Sequence, residues 1–429
     1  MSKNIMDSLT SLCKRRGFIF QSSEIYGGLN GCWDYGPLGA LMKKNLKEAW
    51  WSENITERDD TVGMDCSIIM HPNVWVASGH VGNFNDPMVE CRSCNARFRA
   101  DHLTSENCPT CGNQDFTDVK NFNLMFETQV GASQDASSTA YLRPETAQGI
   151  FVNFNNVVTT SRLKLPMGIG QIGKSFRNEI NPRNFVFRVR EFEQMELEFF
   201  CHPDEADKWF EYWVEKRFAW YKNYGITSDK LRLREHGGNE LAHYAKGCYD
   251  VEYEFPFGFQ ELEGIAHRSD FDLTQHINQS GKSLQYFDEE KKERYTPFVI
   301  ESSAGVDRSF LTFLADAFDD SDPKHVILRL HPKIAPIKVG IFPLTKKDGL
   351  PEMAMEIKNQ LSKYFEVTYE QTGSIGKRYY RQDEIGTPFC LTVDYDTKEK
   401  GTVTIRHRDS GEQEVINKDQ VLTYFLEKI

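Results

Sequence analysis

The sequence lacks the features that would assign it to a membrane, to a secretory route or to a generally basic class of nucleic-acid-binding protein. No apolar stretch approaches the roughly 20 residues that a membrane helix needs, and the N-terminal run MSKNIMDSLTSLCKRRGF has no signal-peptide core. The 51 basic residues are outnumbered by 63 acidic ones, which gives a net charge of −12. We therefore expect a cytoplasmic protein without membrane association, in which nucleic acid is bound by a local basic groove if at all.

The chain also lacks repeats, low-complexity tracts and a regular disulfide spacing. Six of its ten cysteines are scattered, and without an export signal we expect them to be free, buried thiols. These six are Cys13, Cys32, Cys66, Cys201, Cys248 and Cys390.

The other four cysteines form two C-x2-C pairs, Cys91 with Cys94 and Cys108 with Cys111. This spacing predicts a structural Zn²⁺ held tetrahedrally by four thiolates, with no position left open for catalysis. Redox pairing is the alternative. A zinc-ribbon binding module would explain the cysteines, but the chain of 429 residues is far longer than one ribbon.

The length of the chain suggests two or three domains. Apolar periodicity and the preceding Pro37 predict a helix from Leu38 to Trp51, followed by a strand-like run that stops at Pro72. Residues 141–318 are mainly strand-like, with a helical insertion at about 205–224.

Two further patterns follow in the sequence. Residues 297–301 are predicted as a strand, 302–305 as a tight turn, and the next residues as a helix that buries Phe310, Phe313, Leu314 and Ala317. After a connector bracketed by Pro332 and Pro336, strands and helices alternate to the end of the chain, which predicts a small α/β domain.

The run SFRNEINPRNFVFRVREFEQMELEFF, from Ser175 to Phe200, mixes arginines, carboxylates and aromatics in a strand-like pattern. Since side chains alternate faces along a strand, Arg177 and Glu179 would share one face of a first strand, and residues 181–184 would form a loop. The second strand would have a charged face and an apolar face. The charged face carries Arg188, Arg190, Phe192, Gln194, Glu196 and Glu198; the apolar face carries Phe187, Val189, Met195, Leu197 and Phe199, interrupted by Glu191 and Glu193.

A solvated strand face with surface ion pairs would also be charged. The face, however, uses arginine and no lysine, which suits bidentate capture of phosphate or carboxylate. It also carries the large apolar ring of Phe192, and its arginines precede its acids. This order fits a ligand with phosphate at one end, a flat base in the middle and an ammonium group at the other end.

A second arginine follows in ESSAGVDRSF, where Gly305 precedes a predicted helix. Asp307 is expected to cap that helix, and Arg308 is expected to point back toward the sheet.

These motifs carry a family resemblance. FRNE with FRVREFEQME resembles motif 2 of the class II aminoacyl-tRNA synthetases, GVDR resembles motif 3, and the segment ending at Pro72 resembles the dimer-forming motif 1. Further signatures are similar to those of the homodimeric glycyl-tRNA synthetases, and the likeness covers essentially the whole chain. They are WDYGPLG (33–39), FRADHL (98–103), NLMFET (123–128), YLRPETAQGIFVNF (141–154) and ELEGIAHRSDFDL (261–273).

The resemblance implies an α+β fold. A class II catalytic domain built on an antiparallel sheet would span residues 1–331 and contain a zinc-binding insert at about 88–115. Residues 332–337 would be a linker, and residues 338–429 an α/β anticodon-binding domain.

The resemblance also implies a site for ATP and Mg²⁺. Arg177 would bind the α-phosphate and the attacking carboxylate. Glu179 and the loop toward Arg188 would hold the adenine edge and the far phosphates. Phe192 would stack on the adenine ring. Arg308 would reach the γ-phosphate, and Glu261 is the candidate Mg²⁺ ligand. Arg177, Glu179 and Arg308 are thus the catalytic residues, and the remaining ATP-site residues are Asn178, Phe187, Val189, Arg190, Glu191, Leu262, Gly305, Val306 and Asp307.

The implied amino acid is glycine, which offers only an ammonium and a carboxylate. Selectivity must then come from acids around the ammonium and from filling the space of a side chain. The family places Glu145, Glu196, Glu301 and Ser303 there, with Arg99 nearby. The other residues assigned to this site are Phe192, Glu193, Gln194, Met195, Ser302, Ala304 and Gly305.

The last domain is expected to bind tRNA(Gly). Its candidate contacts mix basic with aromatic side chains, as stacking on unpaired bases requires, although an amphipathic surface helix would have the same pattern. They are Lys377, Arg378, Tyr379, Tyr380 and Arg381.

The expected function is ATP-dependent attachment of glycine to tRNA(Gly) by a homodimer, through a glycyl-adenylate. Two alternatives remain: a class II enzyme for serine, threonine or proline, and a non-catalytic synthetase-like subunit that binds nucleic acid. The acid-rich pocket argues against the first. The presence of Arg177, Glu179 and Arg308 argues against the second.

Overall fold

The structure is a computed structural model that describes residues 5–132, 138–238, 241, 245–322 and 324–429. The N-terminal region carries short strands and helices that pack beside the main sheet. In chain order they are α1 (Ile5–Arg16), β1 (Ile19–Gln21), β2 (Trp33–Tyr35), α2 (Pro37–Trp51), β3 (Thr61–Gly63), β4 (Ile69–Met70), α3 (Pro72–Ala77), α4 (His80–Asn83), β5 (Asn85–Glu90), β6 (Arg97–Arg99), β7 (Lys120–Asn123) and β8 (Phe126–Gln129).

The central region supplies most of the main sheet and the helices that cover it. Its elements are β9 (Thr139–Leu142), α5 (Ala147–Ser161), β10 (Met167–Phe176), β11 (Glu191–Cys201), α6 (Ala206–Asn223), β12 (Leu231–Glu235), β13 (Gly247–Phe255), β14 (Gly258–Ser269), α7 (Phe271–Ser280), β15 (Tyr286–Asp288), β16 (Glu293–Tyr295), β17 (Phe298–Gly305), α8 (Val306–Ala317), β18 (Phe318–Asp319) and β19 (Ile327–Leu328).

The main sheet has the strand order β12-β13-β14-β17-β11-β10-β3 among the described residues. Its pairs are antiparallel except for β3, which runs parallel to β10. The expected antiparallel sheet is therefore confirmed. One face of it packs against α2, α6 and α8 in a core that includes Trp50, Trp213 and Phe310.

The C-terminal region forms a separate five-stranded sheet with the order β21-β20-β22-β23-β24. Its own core contains Ile341, Leu391 and Phe425. The expected α/β domain is confirmed. It also contains a short helix, α11 (Tyr395–Lys400), that the sequence pattern did not indicate. Its elements are β20 (Val339–Pro343), α9 (Leu350–Leu361), β21 (Val367–Tyr369), α10 (Ile375–Ile385), β22 (Phe389–Val393), α11 (Tyr395–Lys400), β23 (Thr402–His407), β24 (Gln413–Asn417) and α12 (Val421–Lys428).

The prediction for residues 297–317 is half right. The helix begins at Val306 and buries Phe310, Phe313 and Leu314, as expected. The tight turn at 302–305 is wrong, because β17 continues to Gly305 and is bonded to β11 on one side and β14 on the other. A strand with partners on both sides keeps its backbone hydrogen bonds whatever the turn propensity of its small residues.

The charged stretch also departs from its predicted outline. β10 ends at Phe176 and β11 begins at Glu191, so Arg177 and Glu179 lie in the connecting loop instead of on a strand. That loop is held by backbone bonds from Arg177 to Arg190 and from Asn178 to Leu124. From Phe192 onward the predicted alternation of faces is correct.

Within the described residues, no helix combines the length and apolar character needed to cross a membrane. The six scattered cysteines are free thiols, as expected. Only Cys13, Cys201 and Cys390 are buried, so the expectation of burial is wrong for the half-buried Cys32, Cys66 and Cys248.

Candidate active site

The charged face of β11 extends across its neighbours in the main sheet. Two cross-strand rows follow β11, β17, β14 and β13: Glu196–Ser303–Gly264–Asp250 and Glu198–Glu301–Ala266–Cys248. Because residues two apart on a strand share a face, both rows face the same side of the sheet. The sequence therefore places polar and acidic groups from β11, β17 and β13 on one surface, with the small residues Gly264 and Ala266 of β14 between them.

Two cavities lie on this surface and share part of their wall. The first has a volume of about 230 Å³ and is named the nucleotide cavity after the ligand that the sequence predicts there. Its lining includes Arg177, Glu179, Phe187, Arg188, Val189, Phe192, Gln194, Glu261, Leu262, Ser303, Gly305, Asp307 and Arg308. Most of the residues expected to bind ATP are thus brought together.

Arginines occupy two sides of the nucleotide cavity. The Nε of Arg177 donates to the carbonyl of Pro144 at 3.1 Å, and its guanidinium lies 5.5 Å from the centre of the Phe192 ring. Arg308 donates to the carbonyl of Glu261 at 2.8 Å and stacks over Phe187 at 4.3 Å. Both guanidinium groups are held by backbone oxygens and rings, which leaves charge available for phosphate oxygens.

Glu261 fits a Mg²⁺ ligand in its exposure and position. Its side chain is 54% exposed and its carboxylate lies 3.5 Å from Arg308. Mg²⁺ is commonly held by one or two carboxylates together with substrate phosphates, so a single accessible carboxylate at the edge of this cavity is compatible with it.

The second cavity, of about 250 Å³, is the amino-acid cavity. Its walls share Arg177, Gln194, Glu261 and Ser303 with the nucleotide cavity. The remaining lining is mostly acidic or hydrogen-bonding and comprises Glu145, Glu196, His236, Ala245, Cys248, Asp250, Gly264, Ala266, Arg268 and Glu301. The four residues that the family resemblance places around glycine, Glu145, Glu196, Glu301 and Ser303, therefore line one cavity.

Glu145 and Glu196 have opposite electrostatic environments. Burial raises the pKa of Glu145, but His80, whose Nε2 lies 3.4 Å away, outweighs burial together with Arg268 and Gln148 and holds that pKa below its usual range. Glu196 is 2% exposed and accepts a bond from the Thr146 backbone at 3.1 Å. Burial, and then the charge of Glu145, raise the pKa of Glu196.

Glu301, on the cavity wall, and Glu198, its cross-strand neighbour, form a buried pair of acids. Burial raises the pKa of Glu301 to about 8, although Arg268 donates to its carboxylate at 2.8 Å. Glu198 is fully buried, and neither of its oxygens has a hydrogen-bond partner in the described structure. Burial and the charge of Glu301 raise the pKa of Glu198 well above its usual range.

Several residues assigned to the site direct their side chains elsewhere, and these assignments need correction. Glu193, Met195, Ser302 and Ala304 alternate with the cavity-facing residues, so their side chains lie on the opposite face. Ser302 donates to the buried Glu263 at 2.6 Å, and Met195 and Ala304 lie in the core. These four residues can meet a ligand only through their backbones.

Four of the proposed ATP contacts also lie outside the nucleotide cavity. Asn178 instead lines a separate cavity together with Arg190. Glu191 pairs with Lys174 at 2.6 Å near solvent, and Val306 is buried in the core. Arg190 donates to the carbonyl of Glu179 at 3.0 Å and so holds the loop.

Asp307 does not cap α8, because the N-cap position is Gly305 and Asp307 is the second residue of the helix. Its carboxylate instead accepts from Lys43 at 2.9 Å and from the backbone of Glu193 at 2.7 Å. Burial raises the pKa of Glu193, but Lys43 and Lys47 outweigh it and lower that pKa to about 2. The two acids on the apolar face are thereby explained. Glu193 is paired with Lys43 and Lys47, and Glu191 lies near solvent.

The cysteine cluster lies beside β5 and β6. The sulfur atoms of Cys91 and Cys111 are 3.6 Å apart, and those of Cys94 and Cys108 are 3.7 Å apart. Tetrahedral Zn–S bonds of about 2.3 Å imply S–S separations of about 3.8 Å. The four thiols thus fit the geometry of a structural zinc site.

Arg99 belongs to this insert and lies outside both cavities. It pairs with Asp86 at 2.8 Å and Asp101 at 2.7 Å. It lines a neighbouring cavity of about 150 Å³ that shares Glu179 and Arg188 with the nucleotide cavity.

The tRNA candidates on α10 differ sharply in exposure. Arg378 is 3% exposed and donates to the carbonyl of Pro343 at 2.7 Å, and Arg381 pairs with Glu370 at 2.8 Å. Tyr379 bonds Thr392 at 2.7 Å. Lys377 and Tyr380 are exposed, and Tyr380 stacks on His325 with ring centres 3.9 Å apart.

Sequence reasoning missed the residues that hold the acids in place. Arg268 binds Asp272 through two nitrogens, at 2.7 and 2.8 Å, and Gln148 bonds both Asp272 and Glu145. The motif ELEGIAHRSDFDL places Arg268 near the end of a strand and Asp272 four residues later, a spacing that could have predicted this ion pair. His80 lies far from Glu145 in the sequence, which gave no signal for that pair.

Comparison with known proteins identifies the family of the chain. The profile for the tRNA synthetase class II core domain (G, H, P, S and T) matches residues 126–318, and that for the anticodon binding domain matches residues 338–428. The glycine–tRNA ligase of Treponema denticola is 55% identical, covering 97% of this chain and 96% of the relative. Those of Clostridium tetani and Borreliella burgdorferi are each 52% identical, covering 99% of this chain and 98% and 97% of the relatives. The chain therefore belongs to the glycine–tRNA ligase family of class II aminoacyl-tRNA synthetases.

Proposed function

We propose that the chain activates glycine with ATP, releases pyrophosphate and transfers glycine from glycyl-adenylate to tRNA(Gly). The observation that carries this proposal is the shared wall of the two cavities. Arginines line the nucleotide cavity, carboxylates line the amino-acid cavity, and Arg177 stands at their junction. A nucleotide and an amino acid bound in these cavities would meet beside Arg177.

The reaction needs attack of the glycine carboxylate on the α-phosphate of ATP, with pyrophosphate as leaving group. Two negatively charged groups must approach, so fixed positive charge lowers the barrier. We propose that Arg177, which lines both cavities, contacts both groups and that Arg308 holds the far end of the triphosphate. Phe192 and Phe187 offer apolar surfaces for the base, and no enzyme nucleophile is required.

Mg²⁺, when bound at Glu261 and the phosphates, would supply further neutralisation of charge. The chain's own contribution there is a single accessible carboxylate beside Arg308.

Selectivity for glycine is proposed to come from Glu145, Glu196 and Glu301 around the ammonium group. Glu196 and Glu301 are nearly fully buried. A larger amino acid would have to displace side chains of a packed acid network instead of water. The same network disfavours serine, threonine or proline as the substrate.

We also propose that Cys91, Cys94, Cys108 and Cys111 hold a structural Zn²⁺.

In the C-terminal domain, we propose that the tRNA contacts of α10 are limited to Lys377 and Tyr380. The inward-facing bonds of Arg378 and Tyr379, and the ion pair that engages the partly exposed Arg381 with Glu370, support this restriction. Because charged tRNA is consumed by translation, we propose the cytoplasm as the compartment.

A homodimer is proposed through the region of motif 1. Ile69, Val76 and Val130 are apolar yet 48%, 48% and 53% exposed, and they lie on or beside β4, α3 and β8. A second copy covering these side chains would remove apolar surface from water. Sedimentation of wild-type protein and of Ile69→Asp tests this, since only the wild type should sediment as a dimer.

ATP–pyrophosphate exchange with a panel of amino acids tests the main proposal. Exchange with glycine alone supports it. Exchange with serine, threonine or proline would replace it by another class II specificity. No exchange with any amino acid, in protein that retains its fold, would favour a non-catalytic tRNA-binding subunit.

A further inference from the structure

Three side chains of metal-binding type converge on the wall of the amino-acid cavity, apart from the acids assigned to glycine. The Nε2 of His236 lies 2.7 Å from the Oδ2 of Asp250. One ligand atom from each of His236, Cys248 and Asp250 lies within 4.8 Å of the other two. All three residues line the cavity.

The backbone holds these residues together. Cys248 and Asp250 are two apart on β13, so their side chains share a face. His236 directly follows β12, the neighbouring strand, and its backbone N–H donates to the carbonyl of Cys248 at 3.0 Å. The positions of the three donors are therefore set by an antiparallel strand pair.

The donor set selects the type of ion. Imidazole nitrogen, sulfur and carboxylate oxygen together suit Zn²⁺ or Co²⁺, whereas Mg²⁺ and Ca²⁺ prefer oxygen ligands alone. Bonds of about 2.0–2.3 Å to a tetrahedral ion imply donor separations somewhat below 4 Å. Small side-chain rotations would bring the three atoms to these distances.

An accessible carboxylate on the cavity wall favours a cation. Glu261 lines the same cavity and is half exposed, whereas burial raises the pKa of Glu196 and Glu301 and reduces their negative charge. The guanidinium of Arg268 is engaged by Asp272 and Glu301, and that of Arg234, 3.7 Å from Asp250, is the neighbouring cation with which the ion would compete. Asp250 is 7% exposed, so an ion bound there would be screened only weakly by water.

We propose that His236, Cys248 and Asp250 bind a second zinc ion, distinct from the four-cysteine site, with one coordination position open to the amino-acid cavity. Along the cross-strand rows, Cys248 and Asp250 lie two strands from Glu301 and Ser303, a separation of about 10 Å. The ion and a glycine ammonium would therefore occupy different parts of the cavity. The site does not depend on glycine being the substrate.

Metal analysis of the purified full chain tests the proposal. After equilibration with Zn²⁺ and gel filtration, wild-type protein should retain about two zinc ions per chain, and Cys248→Ala should retain one fewer. Cys66→Ala, which removes a half-buried thiol outside the cluster, is the matched control and should retain the wild-type content. Equal zinc content in Cys248→Ala and wild type would overturn the proposal.

Alkylation supplies a second readout that does not depend on the four-cysteine site. Zn²⁺ should slow modification of Cys248 by iodoacetamide in wild-type protein, as measured by mass spectrometry of its peptide. Asp250→Asn, which preserves the shape of the side chain, should weaken this protection at least tenfold in zinc concentration. Equal rates with and without Zn²⁺ in the wild type would contradict the site even if the total zinc content were ambiguous.

Discussion

The Nζ of Lys43 lies 2.9 Å from the Oδ1 of Asp307 and joins α2 to the helix that carries Arg308. The same ammonium lies 2.7 Å from Glu193, next to the cavity-facing Phe192 and Gln194. Burial lowers the pKa of Lys43, but Asp307 and Glu193 outweigh it and raise the pKa. One buried cation thus fixes two of the elements that line the nucleotide cavity.

Replacing Lys43 by methionine should destabilise the protein by about 3 kcal/mol, because Asp307 and Glu193 would keep buried charges with fewer partners. Urea denaturation measures the change in the free energy of unfolding. The adjacent exposed Lys44 provides the control, and Lys44→Met should change stability by less than about 0.5 kcal/mol. Equal stability of the two variants would show that the Lys43 bridge contributes little.

Arg177→Ala should reduce glycine-dependent ATP–pyrophosphate exchange at least about 100-fold, as expected when a group that stabilises transition-state charge is removed. Its circular dichroism spectrum should match the wild type. Arg294, exposed on the β15–β16 hairpin, gives a control substitution that should leave exchange unchanged. Wild-type exchange in Arg177→Ala would remove the basis for the ATP-site assignment.

Glycine binding should release a proton near pH 7. The pKa of Glu301 is raised to about 8 by burial, which outweighs Arg268, with Glu196, Glu145 and Asp272 adding to the rise. An incoming ammonium favours the carboxylate, so glycine affinity should increase as pH rises from 6.5 to 8. Calorimetry in two buffers of different ionisation enthalpy measures the released proton, which Glu301→Gln should abolish.

The same shift predicts a stability effect in the absence of glycine. The folded pKa of about 8 lies above the unfolded value of about 4.3. The folded state therefore binds more protons, and the free energy of unfolding falls as pH rises between these values. The urea midpoint should fall between pH 5 and pH 8 in the wild type, and it should fall less in Glu301→Gln. An equal decline in both proteins would assign the pH dependence to other groups.

Removal of zinc should unfold the insert around β5 and β6 without melting the main sheet, because the insert's ligands are all local. Hydrogen exchange measured with and without a chelator should show faster exchange near Cys91 and Cys108 but not in β11. Cys94→Ser should reproduce the effect, whereas Cys390→Ser, buried in the C-terminal sheet, should leave the insert protected. Protection that is unchanged by chelation would argue against a structural zinc.

Sequence periodicity predicted the parts of the fold in which one strand or helix has one buried face. The charged face from Phe192 to Glu198 and the apolar face of α8 are examples. It failed where long-range partners decide the conformation. Ser302 to Gly305 is strand because β11 and β14 flank it, and Asp307 binds Lys43 instead of capping its own helix. Sequence periodicity also failed to predict which side chains of α10 are exposed, since the buried Arg378 and the exposed Lys377 are adjacent in the sequence.

Arg268 should act by positioning Glu301 for the glycine ammonium. Its Nη1 donates to Glu301 at 2.8 Å, while Nε and Nη2 hold Asp272 at 2.7 and 2.8 Å. Lysine keeps the charge but cannot make these bonds in a fixed fork, so Arg268→Lys should raise the KM for glycine at least tenfold and change the KM for ATP by less than twofold. Pyrophosphate exchange with each substrate varied separately measures both constants.

Arg217→Lys is a matched control, because Arg217 makes a similarly buried two-nitrogen pair with Glu263 on the opposite face. That variant should lose stability without a selective change in the KM for glycine. Parallel increases in both KM values in Arg268→Lys would indicate general loosening of the sheet instead of a role at the ammonium.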